Sequence, residues 1–176
     1  MNSNIKKDFV MPIAVLTVIC LVITAALAFT EQATTPIIAA AEKAAADAAR
    51  MEVLPAADGF EQVATDGMPE GVVEAYKATN GAGSVMILEG SGYGGTMKII
   101  VGIGSDDKIT GTKTMGHSET PGLGAKTAEA PFHAQFPGQD SSLSGVNAIG
   151  GATISSKCFI GMVEQAFQAH SIIKGA

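Results

Sequence analysis

The chain has 176 residues, a net charge of -6 from 11 Lys plus Arg against 17 Asp plus Glu, and 47% hydrophobic residues. Beyond an apolar stretch near the N-terminus, this length leaves one domain with a proper core and not two. The largest basic cluster is Lys6-Lys7, which removes nucleic acid as a partner, and Cys20 and Cys158 lack the spacing and histidines of a zinc, iron–sulfur or CxxC site. Redox chemistry, if present, has to come from a bound cofactor.

Residues 9–29 contain no charge and match the roughly 20 residues that cross a bilayer core. They are expected to form a transmembrane helix. The competing reading is a cleaved signal peptide, with Lys6-Lys7 as its basic start and Ala26-Leu27-Ala28 as its cleavage site. The apolar run exceeds the usual signal core of roughly 7 to 15 residues, which favours retention. Lys6 and Lys7 precede the run and Glu31 is the first charge after it. The positive-inside rule then keeps residues 1–8 cytoplasmic and the folded domain extracytoplasmic.

Residues 35–51 are alanine-rich, with Pro36 suited to a first helical turn, and read as a stalk helix that Leu54-Pro55 ends. A stalk and linker over 30–55 thus precedes a domain over 56–176. Within it, residues 72–78, 84–88, 96–103 and 108–115 are short β-rich runs separated by glycines, with Ser105-Asp106-Asp107 as a hairpin turn. Residues 125–135 suggest a short helix ended by Pro137-Gly138. Residues 155–173 form a stronger one, because Phe159, Met162, Val163, Ala166, Phe167 and His170 follow helical spacing on one stripe. Strands first and helices at the ends predict an α+β domain, an antiparallel sheet packed by helices.

Three motifs carry candidate chemistry. Gly90-Ser91-Gly92-Tyr93-Gly94-Gly95 matches G-x-G-x-x-G, but a strand-like run follows it, so a Rossmann site fails on context. What remains is a glycine turn, or a loop whose backbone approaches a ligand closely with Tyr93 beside it. His117-Ser118-Glu119-Thr120-Pro121-Gly122-Leu123-Gly124 gathers polar side chains before a Pro-Gly turn, either a plain turn or a loop that aims them at one ligand. Gly150-Gly151-Ala152-Thr153-Ile154-Ser155-Ser156 leads into the last helix, and a helix N-terminus favours a phosphate. Thr153 places a hydroxyl there, with few rotamers open to it. No nucleophile elbow, zincin motif or P-loop occurs, and His117, His133 and His170 are scattered.

Taken together and in this order, the three motifs resemble the FMN-binding G subunit of the Rnf complex, an ion-translocating ferredoxin:NAD oxidoreductase. They equally resemble the related C subunit of the sodium-translocating NADH:quinone reductase. The resemblance implies FMN attached through a phosphoester to Thr153, with Gly151, Ala152 and Ser155 beside it. It implies that Glu119 and Thr120 hydrogen-bond the ring or ribityl chain, that Leu123 packs on the ring next to Gly124, and that Gly92, Tyr93 and Gly94 lie near it. Asn147 stands where the family has Asp, and Gly150 where it has Ser or Thr. Also implied are an electron-relay role without independent catalysis or a metal, partner subunits that handle ferredoxin, NAD and the ion, and a flavin transferase for maturation. The site would face the outside of the cell membrane. A rival reading is a membrane-tethered FMN-binding or sensing module without covalent flavin.

Overall fold

The computed structural model describes residues 11–175, the side chains of residue 33 and residues 36–44 excepted. The expected cytoplasmic segment 1–8 and the first two residues of the expected span lie outside the described residues. The chain forms two compact units that divide between Ala46 and Asp47.

The first unit is helical. A single helix, α1 (Met11–Val53), takes in both the expected span and the expected stalk without a break. Pro36 is therefore interior to a helix and not at its start; it leaves the helix one N–H short, and the alanine-rich residues around it carry the helix past that gap. Residues Met11–Gln32 are long and apolar enough to cross a membrane, about 33 Å at 1.5 Å per residue.

The second unit is an α+β domain. Five strands form one antiparallel meander in the order β1 (Phe60–Val63), β2 (Val72–Ala78), β3 (Gly83–Ser91), β4 (Thr96–Gly104) and β5 (Ile109–His117). All neighbours pair antiparallel. After the sheet come a 3-10 turn (Gly124–Ala128), the single-turn helix α2 (Ala130–His133) and the long α3 (Thr153–Gly175). The short helix expected over 125–135 is thus two pieces. Glu129 is extended between them, and Pro131 has no N–H with which to continue the first piece. β1 was not expected, because Glu61 and Gln62 at its centre are exposed and only its ends are half-buried.

Both faces of the sheet are covered, which explains why β3 and β4 read as nearly continuous apolar runs. Met86, Leu88, Met97, Ile99 and Val101 face α3, whose predicted stripe of Phe159, Met162, Val163, Ala166, Phe167 and His170 is buried throughout. Phe132, Phe136 and Phe159 meet at ring separations of 5.1 to 5.4 Å. On the other face Val85, Ile87 and Ile100 pack with Ala49, Val53 and Leu54 from the last turn of α1 and just beyond. Arg50 stacks on the Tyr76 ring at 3.8 Å and pairs with Asp47 and Glu74. Gly102 and Gly111 give Val53 its seat, since a Cβ at either would press on the Val53 backbone.

Candidate functional site

The site is built around the start of α3. The amide of Ala152 donates to the Ile149 carbonyl at 3.0 Å, and Gly151 has φ 81°, so residues 149–152 make a turn with a left-handed third position. Gly151 is glycine for that reason. Gly150 faces open space and has no positive φ. Ser156 ties this turn to the helix: its hydroxyl donates to the Ala152 carbonyl at 2.9 Å and accepts from the Ile149 amide at 3.0 Å.

Helix α3 begins at Thr153, two residues earlier than its stripe predicted. Its first i to i-4 bond runs from the Ser156 amide to the Ala152 carbonyl, 2.9 Å. Ala152 therefore occupies the N-cap position, and its methyl offers no acceptor. Among the described residues, no protein group accepts from the amides of Thr153, Ile154 or Ser155. The first turn contains no acidic residue to offset its partial positive charge. Thr153 itself is exposed. The result is an anion-receptive helix end that carries a free hydroxyl on its first residue.

Glu119 closes the second wall. It is only 5% exposed, and its Oε2 accepts from the Ser155 hydroxyl at 2.7 Å and from the Gly94 amide at 3.3 Å. Its Oε1 is buried without a hydrogen-bond partner among the described residues. Three motif glycines enclose this carboxylate, for a Cβ at Gly92 or Gly124 would collide with its oxygens and one at Gly94 with the Ser118 carbonyl. Here the glycine spacing serves close packing around Glu119. His117, exposed, accepts from the Glu119 amide at 3.2 Å through Nδ1. The Pro121-Gly122 turn has φ 77° at Gly122, and the Leu123 and Ala125 amides both donate to the Thr120 carbonyl at 3.2 Å.

A cavity of about 380 Å³ opens between these walls, within the size range of small-molecule sites. The structure brings most of the sequence-predicted residues into it: Tyr93; Glu119, Thr120, Leu123 and Gly124; and Gly151, Ala152, Thr153 and Ser155. Gly92 and Gly94 lie behind it, against Glu119 and Ser118. Sequence reasoning missed Ile154, which also lines the cavity. Its signal was an apolar residue off the buried stripe of α3. Tyr93, Leu123 and Ile154 are 72%, 50% and 57% exposed and form an apolar rim. At Cys158, one turn along α3, burial and then the Glu119 charge push the thiol up, away from the thiolate form. Such a cavity can hold one anionic group at the helix end and a flat apolar group at the rim.

The other histidines lie elsewhere. His133 packs on Phe159 with both ring nitrogens at threonines of β5, Thr112 at 2.9 Å and Thr114 at 3.2 Å. His170 lies near the far end of α3, between Ser84 and Asp107.

The model of the FMN-binding domain matches residues 92–168, from the glycine loop into α3. The chain is also 36% identical, over 97% of its length and 98% of the other's, to the G subunit of the ion-translocating oxidoreductase complex of Methanosarcina acetivorans. It belongs to this G-subunit family. A second member, the G subunit of the Na+-translocating ferredoxin:NAD+ oxidoreductase complex of Acetobacterium woodii, is 33% identical over 89% of this chain and 88% of its own. Among solved structures, the C subunit of the Na+-translocating NADH-quinone reductase of Parabacteroides distasonis matches 64% of this chain and 60% of its own, at 24% identity and a TM-score of 0.45. As a G-type member with an FMN-binding domain, the chain is part of the redox machinery of its family.

Proposed function

We propose that this chain is the electron-relay subunit of a membrane-bound, Rnf-type ion-translocating ferredoxin:NAD oxidoreductase, and that it carries FMN as a phosphoester on Thr153. One observation carries the attachment reading. Among the described residues, Thr153 alone in the uncapped first turn of α3 combines an unpaired amide with an exposed hydroxyl, and it stands on the wall of the cavity.

The residues present fit the group. The unpaired amides of Thr153, Ile154 and Ser155 would take up phosphate charge. Leu123, Tyr93 and Ile154 would cover an apolar ring, and Glu119 and Thr120 form the polar wall. When bound, FMN supplies one- and two-electron transfer, which needs no catalytic base from the protein. The chain's own tasks are to fix the hydroxyl, hold the ring near a redox partner and limit access of water.

The membrane reading rests on the apolar length of Met11–Gln32. The basic Lys6-Lys7 before it and Glu31 near its end support a cytoplasmic N-terminus and an extracytoplasmic FMN domain. Covalent attachment there would keep a cofactor that the cytoplasmic pool cannot readily replace. Other subunits of the complex would handle ferredoxin, NAD and the ion, and a flavin transferase would load Thr153 from a flavin dinucleotide: the threonine oxygen forms the new P–O bond, the pyrophosphate P–O bond breaks, and the nucleoside monophosphate leaves.

The test is denaturing-gel flavin fluorescence with intact mass, on the full chain coexpressed with a flavin transferase, beside Thr153→Ala. A fluorescent band heavier by one FMN less one water, lost in the variant, is the expected result. An unmodified, dark wild-type band would overturn the tether and favour an FMN-binding module without covalent flavin.

A further inference from the structure

We infer that Glu119 is a positioning residue: through Ser155 and Gly94 it sets the first turn of α3, and with it Thr153, relative to the Tyr93 loop. The role rests on the proposed attachment at Thr153 and deepens it.

Among the described residues, both protein donors that reach Glu119 use one oxygen, Oε2, and each comes from a different segment around the cavity: the Ser155 hydroxyl at 2.7 Å from α3 and the Gly94 amide at 3.3 Å from the loop after β3. Glu119 itself belongs to the second wall, the loop after β5. One side chain thus references all three segments to each other. Its other oxygen is sealed off, with no partner among the described residues, under a Gly92 that leaves no room for a Cβ. One oxygen is thus taken up by two protein donors, so what Glu119 contributes to the cavity wall is the placement of the segments around it.

The glycines make the arrangement specific. At Gly124 a Cβ would meet Glu119 Oε2 and stand 2.7 Å from Ser155 Oγ, so the carboxylate–hydroxyl pair can form only beside glycine. The helix end also needs such a tie. Its N-cap is an alanine without an acceptor, and the turn before it is held by its own Ala152–Ile149 bond and by Ser156. Ser155 is the third residue of α3, where a side-chain bond fixes the rotation of the whole first turn. That rotation decides where the Thr153 hydroxyl points.

The test uses the full chain with Glu119→Ala, Ser155→Ala, the double variant and Glu119→Gln. The first readout is the rate of FMN mass gain on incubation with the flavin transferase and a flavin dinucleotide as donor. Glu119→Ala and Ser155→Ala should each slow it about tenfold, the scale of one lost hydrogen bond, and the double variant should be no slower than either single one. Glu119→Gln should restore the rate, since its amide oxygen can still accept from Ser155 and Gly94. The inference is overturned if Ser155→Ala loads at the wild-type rate while Glu119→Ala does not, or if the two losses multiply. The second readout is amide hydrogen exchange of unloaded protein at Gly94 and Ser156. Both amides should exchange faster in Glu119→Ala and stay protected in Glu119→Gln; unchanged protection in Glu119→Ala would refute the tie. If wild-type protein gains no mass, the attachment reading fails and exchange alone decides the positioning role. If Glu119→Ala does not fold, Ser155→Ala against Glu119→Gln carries both comparisons.

Discussion

Adjacent glycines before Thr153 should respond oppositely to the same substitution. Gly151 has φ 81°, and a Cβ there would meet only Leu123 Cδ2 at an ordinary 3.6 Å. The cost of Gly151→Ala is therefore the left-handed backbone alone, about 1–2 kcal/mol. Relief by rotating the turn is blocked, because Ser156 bonds both Ile149 and Ala152 across it. At Gly150 nothing lies within 4 Å and φ is not positive. Gly150→Ala should be neutral, or stabilise by about 0.4–1 kcal/mol through a stiffer unfolded chain. The two variants should differ by about 1–3 kcal/mol, which at a urea m-value of about 1–3 kcal/mol/M separates their midpoints by about 1 M. The assay is urea unfolding of the full chain in mild detergent, in a Thr153→Ala background so that bound flavin does not shift the balance. Tyrosine fluorescence reports it, because Tyr76 is buried in the second core. Coincident midpoints, or an equal fall for Gly150→Ala, would refute the turn assignment. The same geometry says that a Ser or Thr at position 150, the residue types to which the family resemblance points, fits without strain.

Acid should weaken the domain through buried His170 and half-buried His133. Burial holds His170 below the usual 6.5, against the upward pull of Asp107, while its ring bonds Ser84 Oγ at 2.6 Å and Asp107 at 3.1 Å, with Lys174 also on that carboxylate. Burial depresses His133 likewise. Since the unfolded chain takes up these protons first, stability is fully present above pH 6.5 and lost as pH falls below it. Urea midpoints from pH 8 to 5 should show that decline, shallower in His170→Asn, and a flat or rising profile would contradict it. On the opposite face, Gly102→Ala should cost about 1–3 kcal/mol by overpacking, because its Cβ would collide with the Val53 carbonyl and stand 2.7 Å from Thr110 Oγ1. Gly116→Ala, with nothing within 4 Å, should stay within about 0.5 kcal/mol. Equal midpoints for these two strand glycines would remove the seat proposed for Val53.

Much of this was readable in the residues, for identifiable reasons. The α3 stripe was legible because one face of a long helix repeats its spacing, and β2 because its β-rich run ends near turn residues. The strand Phe60–Val63 was not, since a short edge strand with Glu61 and Gln62 outward has almost no buried pattern to show. The split at Glu129 hinged on one missing N–H at Pro131, a local effect inside a helical composition. At the site, motif and fold agreed on which residues gather. The use of the glycines was legible only in three dimensions. Gly92 and Gly124, read as a bare backbone beside a ligand, make room for the Glu119 carboxylate, which their spacing in the chain does not announce.

The start of α3 shows why stability was left incomplete there. A Ser or Asp at position 152 would cap the helix and add about 0.5–2 kcal/mol, but it would also consume an amide of the first turn. With Ala152 in place those donors remain unpaired, a cost the domain absorbs because Phe159, Val163 and Ala166 are fully buried on the sheet, and burying side chains as large as Phe or Val contributes roughly 1.5–3 kcal/mol each. The core thus holds the helix, and its N-terminus is free to bind. Glu119 then fixes that loose end from the side through Ser155, which leaves the amide and hydroxyl of Thr153 to a ligand.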